Sequence, residues 1–443
     1  MELMKIKQHR SRTILQFAIP SIVAMVLSSM ISVIDGYYTG NYIGKEGLAA
    51  INLGLPIVYL YLAVGLMIAV GGISIAGRML GAGKIKEANH IFRQTITLCV
   101  VVTLTLTAIF FFTLEPISKL VKADAVTRGY FIAYYRILIF ELPLMVIISA
   151  LGMFIRGEGS PLFVMLTNIV SVILNIILDY VMVGPLSLGI AGIAWASVIS
   201  VVIVLIINMA YFIRSKVFKF GSFKWEGTSL KETFFNGASE FIGELSMCIS
   251  MAAYNYIVFN YAGVDGLAAF TIIGYVSYVF SMIIVGFGQG IVPVISFSFG
   301  AGDHLLSRQV RNTTMKMLTV TAIIVFGIMT LLTGWYSGLF SDSSDVKDLV
   351  VPGLRLQMSS FAFAGINTIA SFYFTAVGKA MESAAISASR GLVILLIAVF
   401  VLPRIFGITG VWVVSLTTET ITFIFSVLFM RKNTMEEKAS YAA

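Results

Sequence analysis

A chain of 443 residues that is 58% hydrophobic and only 12% charged is not a water-soluble domain, because ordinary globular chains carry about 25% charged residues. The same balance suits a polytopic membrane protein, since each spanning helix takes about 20 apolar residues. The net charge of +8 is what the loops on one membrane face require, so nucleic-acid binding is set aside.

The basic start, Met1–Arg12, leads into an apolar run that begins near Ile14 and continues to Tyr38. No small-residue cleavage site ends that run, so it reads as the first retained span and not a signal peptide. Further apolar runs fall at roughly 49–73, 94–114, 130–153, 162–183, 190–213, 234–260, 266–292, 316–340, 350–376, 383–403 and 408–430, each long enough to cross a bilayer. These runs are too long and too continuously apolar for the alternating strands of a β-barrel. The expectation is an all-α polytopic membrane protein of twelve transmembrane helices.

The chain is a duplication. Asn41-Tyr-Ile-Gly-Lys-Glu-Gly-Leu-Ala-Ala50 returns as Asn260-Tyr-Ala-Gly-Val-Asp-Gly-Leu-Ala-Ala269, at an offset of 219. The offset carries Gly71 onto Gly290, Gly81-Ala82-Gly83 onto Gly300-Ala301-Gly302, Arg136 onto Arg355 and Gly159 onto Gly378. One deleted residue later, Gly189-Ile190-x-Gly192 meets Gly407-Ile408-x-Gly410. A period of this length written twice defines two equivalent units. The expected division is an N-terminal lobe at 1–213, a basic linker at 214–232 and a C-terminal lobe at 233–443.

Lys and Arg set the orientation. With the N-terminus inside, twenty-one of the 30 Lys and Arg residues fall in inside segments and six in outside loops, so the positive-inside rule puts both termini in the cytoplasm. An even number of spans per unit then relates the halves by an axis along the membrane normal. The linker interleaves Phe218, Phe220, Phe223 and Trp225 with lysines. It reads as a positive-inside loop with interfacial aromatics, or else as an amphipathic segment on the inner leaflet.

Cys99 and Cys248 both lie in apolar runs, which excludes a disulfide framework. His9, His90 and His304 have no Cys, Asp or Glu neighbour at ligand spacing, so no metal site is expected. No histidine lies in a span and no phosphate-cradling loop follows a strand, so neither an enzyme nor an ATP-driven pump is expected.

Ionisable groups inside a membrane are costly and mark function. Asp35 closes a stripe of Ser21, Met25, Ser28 and Ser32 at spacings of four and three, hence one helical face. Asn175 and Asp179 are four apart on the fifth span. Both spans start inside, so the two carboxylates reach a similar depth. Burial and mutual repulsion disfavour two charges there, which suits the pair to hold a proton, or alternatively Na⁺. Glu240 and Glu244 share a face of the seventh span, with Glu244 deeper and suited to an organic cation. Arg390 or Arg355 offers Glu244 a neutralising partner instead. Glu141 and Glu419 stand alone in their spans.

Phe17-Ala-Ile-Pro20, Asp35-Gly-Tyr-Tyr-Thr-Gly40, Gly47-Leu-Ala-Ala50, Gly81-Ala-Gly83, Arg156-Gly-Glu-Gly159 and Asn175-x-x-x-Asp179 together resemble the multidrug and toxic compound extrusion (MATE) family over nearly the whole chain. The wording is nearest its MepA-type bacterial branch. The resemblance implies two six-helix lobes around a central cleft and a cation-coupling site in the N-lobe made of Asp35, Asn175, Asp179 and Ser197. It implies export of mostly cationic drugs and dyes by a monomer in the bacterial inner membrane, among membrane lipid, without a cofactor beyond the coupling ion, H⁺ or Na⁺. Candidate substrate contacts are Glu244, Glu240, Asn367, Met25, Ser28 and Ser32, in a cleft where methionines adapt to varied shapes. Two departures from the family pattern, Ser239 where Pro is usual and Asn367 without a carboxylate on the tenth span, weigh against Na⁺ in the C-lobe and toward H⁺ in the N-lobe. The alternative is a lipid or lipid-linked oligosaccharide flippase, which needs a basic cluster in the cleft. Arg136, Arg355 and Arg390 are spread over three spans.

Overall fold

A computed structural model describes residues 2–120, 124–340 and 343–442, and these residues form helices and turns without a strand. A six-residue helix, Leu3–Gln8, precedes α1, Arg10–Tyr42. There follow α2 (Lys45–Gly81), α3 (Ile85–Leu120), α4 (Ala125–Gly157), α5 (Pro161–Val183) and α6 (Gly189–Arg214). The continuous helical run Gly227–Gly300 is broken at Gly263, giving α7 (227–262) and α8 (264–300). After α9 (His304–Gly338) and α10 (Ser344–Ala376) comes a run from Ala380 that breaks at Gly407, giving α11 (380–406) and α12 (408–442). Among the described residues ten long apolar helices, two of them broken in this way, make the twelve expected spans.

The duplication is written into the backbone. Gly44, Gly83, Gly159 and Gly189 have positive φ, and so do their repeat partners Gly263, Gly302, Gly378 and Gly407. Only glycine enters these conformations at no steric cost. At Gly263 (φ 57°) and Gly407 (φ 59°) that freedom lets the chain reverse between spans with almost no loop.

The linker differs from its expected extent and placement. Only 215–226 is non-helical, because α7 already begins at Gly227. The segment is a non-helical loop that keeps Trp225 and part of Phe220 exposed, but it is packed onto the N-lobe and is not a membrane-surface helix. Phe218 is fully buried against Phe92 and Phe154, and Phe220 packs on Phe92 and Phe212. Arg93 donates to the carbonyls of Lys219 and Ser222, and Glu158 accepts the Phe218 N–H. The aromatics recur at a spacing that fits a protein surface as well as a lipid one, and the buried phenylalanines of α3 and α6 offer the drier partner.

The two lobes meet tightly at the end that carries the termini. A Cβ on Gly71 would lie 2.0 Å from the Thr233 carbonyl oxygen, and one on Gly237 would lie 1.8 Å from that of Met67. Gly81 and Gly300 are equally close to the carbonyls of Phe297 and Arg78. Small residues allow such backbone approach between spanning helices. Four polar links close the same end: Lys7 to Asp303 (2.6 Å), Arg10 to Gln309 (2.6 Å), Arg78 to Glu232 (2.5 Å) and buried Arg156 to Gln289 (3.2 Å). Gly237→Val should therefore force the lobes apart there. A cysteine introduced at Ser296 in a Cys-free background is buried now and is expected to become reactive to a maleimide applied from the termini side. Unchanged labelling would mean this seam is not what closes the bundle.

Candidate functional site

The N-lobe brings four separated residues into one polar chamber. α1 supplies Asp35, α5 supplies Asn175 and Asp179 one turn apart, and α6 supplies Ser197; all are buried, Asp179 and Asn175 completely. Ser197 Oγ donates to Asp35 Oδ2 at 3.4 Å, and Asn175 Nδ2 donates to Ser197 Oγ at 3.3 Å. Asp35 and Asp179 stand beside each other and within reach of a third carboxylate, Glu141 of α4. Tyr134, one more residue of α4, faces all three acids.

The chamber is rich in acceptors and poor in donors. Asp35 Oδ1, both carboxyl oxygens of Asp179, Asn175 Oδ1 and Glu141 Oε2 have no hydrogen-bond partner among the described residues. Buried polar atoms are nearly always satisfied in native proteins, and three carboxylates in a low-dielectric interior repel one another. A group of oxygens so placed calls for protons or a small hard cation. Glu141 stands alone along the sequence, yet it belongs to this chamber. Tyr134 and Glu141 are seven residues apart, two helical turns on one face, which is the signal that links them.

The α1 stripe divides along its length. Ser21 is buried and bonds back to the Phe17 carbonyl; Ser28 Oγ reaches Asn168 Oδ1 of α5 at 2.9 Å; Met25 is half-buried and Ser32 exposed. Serine-mediated helix packing accounts for Ser28, and the stripe leads from it to Asp35.

The C-lobe solves its charges differently. Arg390 lies on a single π-helical turn, Ser389–Val393, inside α11. Its Nη2 and Nε donate to Glu419 Oε1 at 2.6 and 3.1 Å, and its Nη1 donates to Thr368. Asn367 Nδ2 donates to Glu419 Oε2 at 2.8 Å, and Ser426 donates to Asn367 Oδ1 at 2.9 Å. Both oxygens of Glu419 are thus occupied by the protein itself. Asn367 faces this core network and not the Glu240–Glu244 pair. Within the π-turn the Gly391 carbonyl accepts Ser250 Oγ of α7 at 2.9 Å, and π-turns tend to sit where helices carry function.

Glu240 and Glu244 are half-buried on α7. Glu240 senses Arg390 and Glu244. Glu244 lies within electrostatic reach of Tyr278 and Cys248, and of Tyr59 on the opposite lobe. Among the described residues no cluster of three His, Cys, Asp or Glu has metal-site geometry.

Twelve spans in two duplicated lobes, with an acidic chamber buried in one and half-buried acids on α7 of the other, describe a polytopic membrane transporter and not an enzyme. The MatE family model matches residues 20–181 and 241–401, one match in each lobe, and the chain belongs to that family of membrane exporters. It is 24% identical over 420 residues to the multidrug export protein MepA of Staphylococcus saprophyticus, covering 94% of this chain and 92% of that one. To MepA of Staphylococcus haemolyticus it is 26% identical over 439 residues, covering 97% and 96%. Among solved structures, an outward-facing multidrug resistance MATE transporter of the MOP superfamily superposes with a TM-score of 0.91 at 21% identity over 96% of each chain. A MOP superfamily transporter from Pyrococcus furiosus, described as having a binding pocket of reverse polarity, superposes with a TM-score of 0.88 at 21% identity over 95% of each chain. These structural likenesses establish the fold.

Proposed function

We propose that this protein is a multidrug exporter that drives amphipathic, mostly cationic organic compounds out of the bacterial cytoplasm by antiport against H⁺, with both termini cytoplasmic. The observation that carries the reading is the set of five partnerless oxygens around Asp35, Asp179, Asn175 and Glu141. A proton entering from outside satisfies these acceptors and relieves the repulsion between carboxylates. Its release inward restores the charge, so proton and drug occupy the protein in alternation. The contrast with Glu419, already neutralised by Arg390, supports coupling in the N-lobe and not the C-lobe. The curated relatives named multidrug export proteins support the substrate class.

The flippase alternative needs free basic groups in the cleft for a diphosphate. Arg390 is held by Glu419 and Arg136 by Glu115 at 2.7 Å, and the exposed Arg355 by itself is not the basic cluster that a diphosphate needs. The deciding experiment is drug efflux from proteoliposomes with a pH gradient and a Na⁺ gradient imposed separately. Efflux driven by the pH gradient without Na⁺ supports the proposal; efflux driven by Na⁺ alone overturns the coupling ion.

Glu244 is the proposed contact for the substrate's positive charge, with Tyr59 and Tyr278 beside it to stack on aromatic drugs. Glu244→Gln is expected to weaken transport of a dication several-fold and of a neutral compound little, the loss of one charge pair being worth on the order of 1 kcal/mol at a half-buried site. Glu240→Gln, with Arg390 close by, should do less. Equal rates for both compounds in both variants would remove α7 from substrate recognition.

A further inference from the structure

Between α9 and α12, at the end of the bundle that carries the termini, lies an open crevice of about 570 Å³. Its walls combine two arginines, Arg311 and Arg431, with Met315, Val427, Met430 and Met435. Arg311 is only 5% exposed. Its guanidinium lies 4.5 Å from the centre of the Tyr373 ring and its Nε donates to Asn312 Oδ1 at 3.0 Å, while its Nη1 has no acceptor among the described residues. The nearest acid, Glu437, is engaged by Arg308 at 3.2 Å and Asn433 at 2.9 Å. Among the described residues no acid lines the crevice. A buried guanidinium with an idle donor, beside a second arginine, is a site for an anion.

The duplication supplies the second half of the argument. The repeat register places Phe92 where the C-lobe has Arg311, and Phe212 where it has Met430. In the N-lobe this space is filled by the chain itself. Phe92 stacks on Phe212 at 4.9 Å and packs on Phe218 at 5.2 Å and Phe220 at 5.4 Å, both from the linker. In the C-lobe α12 runs on as a helix through Ala442, and among the described residues no segment turns back into the gap. The equivalent space therefore stays open, keeps an apolar wall of methionines that accepts flexible chains, and gains a cationic rim.

We propose that this crevice binds an anionic phospholipid from the leaflet on the side of the termini, its phosphate on Arg311 and Arg431 and the start of an acyl chain along Met315, Val427 and Met430. A free phosphate would use the arginines and leave the methionine wall uncovered, so a lipid fits the lining better. Basic pockets between spanning helices on the cytoplasmic side are suited to anionic headgroups.

The test is native mass spectrometry and thermal unfolding of the full-length protein in detergent, with phosphatidylglycerol, phosphatidylcholine or inorganic phosphate added. Wild type is expected to retain phosphatidylglycerol over phosphatidylcholine and to be protected by it, with inorganic phosphate giving no comparable protection. Arg431 is exposed, so its replacement leaves the fold intact; Arg431→Ala should lower phosphatidylglycerol retention about fivefold, the share of one basic group at an anionic headgroup. Met430→Trp, which fills the crevice and keeps both charges, should lower it as well. The site is overturned if wild type holds both lipids equally, or if both variants retain phosphatidylglycerol as wild type does. Protection by inorganic phosphate equal to that by lipid overturns the lipid assignment.

Discussion

Asp35→Asn and Asp179→Asn are each expected to abolish drug efflux driven by a pH gradient while leaving the protein folded in the membrane. Asp35 and Asp179 are buried side by side with Glu141 in reach, and three of the four oxygens of the two aspartates have no donor. Two acids this close share one site for the proton, so replacing either member changes that site for both. An amide occupies the same volume as the carboxyl and relieves a like-charge contact. Folding therefore has no reason to suffer, and thermal stability at neutral pH should be unchanged or higher than in wild type. Drug binding measured at fixed pH should persist, but binding should no longer expel protons into a weakly buffered medium. Ser197→Ala, which removes both the 3.4 Å bond to Asp35 and the 3.3 Å bond from Asn175, and Asn175→Ala, which removes the second of these, should shift the pH dependence of efflux with a smaller loss of rate. Wild-type efflux in Asp35→Asn would end the N-lobe proton mechanism. A collapse of stability in both variants would instead make the aspartates structural.

Much of this arrangement is readable along the chain because membranes narrow the choices. Lipid forces every span to be helical, so apolar run length fixes the number of spans and the 219-residue offset fixes the symmetry. The Asp35 stripe and the Asn175–Asp179 pair are legible because helical periodicity puts their members on one face. Their meeting with Ser197 rests on the resemblance to known transporters, since periodicity within one helix says nothing about which helices touch. For the same reason Glu141 looks solitary in sequence, 106 positions from Asp35. Likewise Arg390 gives no hint that Glu419 and not Glu244 receives it, because that choice depends on a π-turn that re-aims its side chain. The packing of the linker is hidden for a different reason. Aromatics among lysines describe equally a lipid-facing and a protein-facing segment, and only the buried Phe92–Phe154–Phe212 surface decides between them.

The second large effect concerns that C-lobe pair. Glu419→Gln is expected to destabilise the protein by about 3 kcal/mol, since removing one partner of a buried pair leaves the other charge uncompensated. The low end of the usual range applies because the Arg390 side chain is 27% exposed and that of Glu419 10%. The loss is larger than a hydrogen bond alone would give, because Asn367 and Ser426 are oriented through the same carboxylate. If the pair is a structural clamp, replacing both charges by apolar groups in Arg390→Met/Glu419→Leu should recover most of the stability, as buried pairs exchanged for well-packed side chains commonly do. The double variant should also keep its pH-driven efflux, because the coupling acceptors lie in the other lobe. Denaturant titration of the purified single and double variants measures the first expectation, and vesicle efflux the second. If the double variant is stable but cannot use the pH gradient, Arg390 and Glu419 take part in coupling, and confinement of the proton to the N-lobe is wrong.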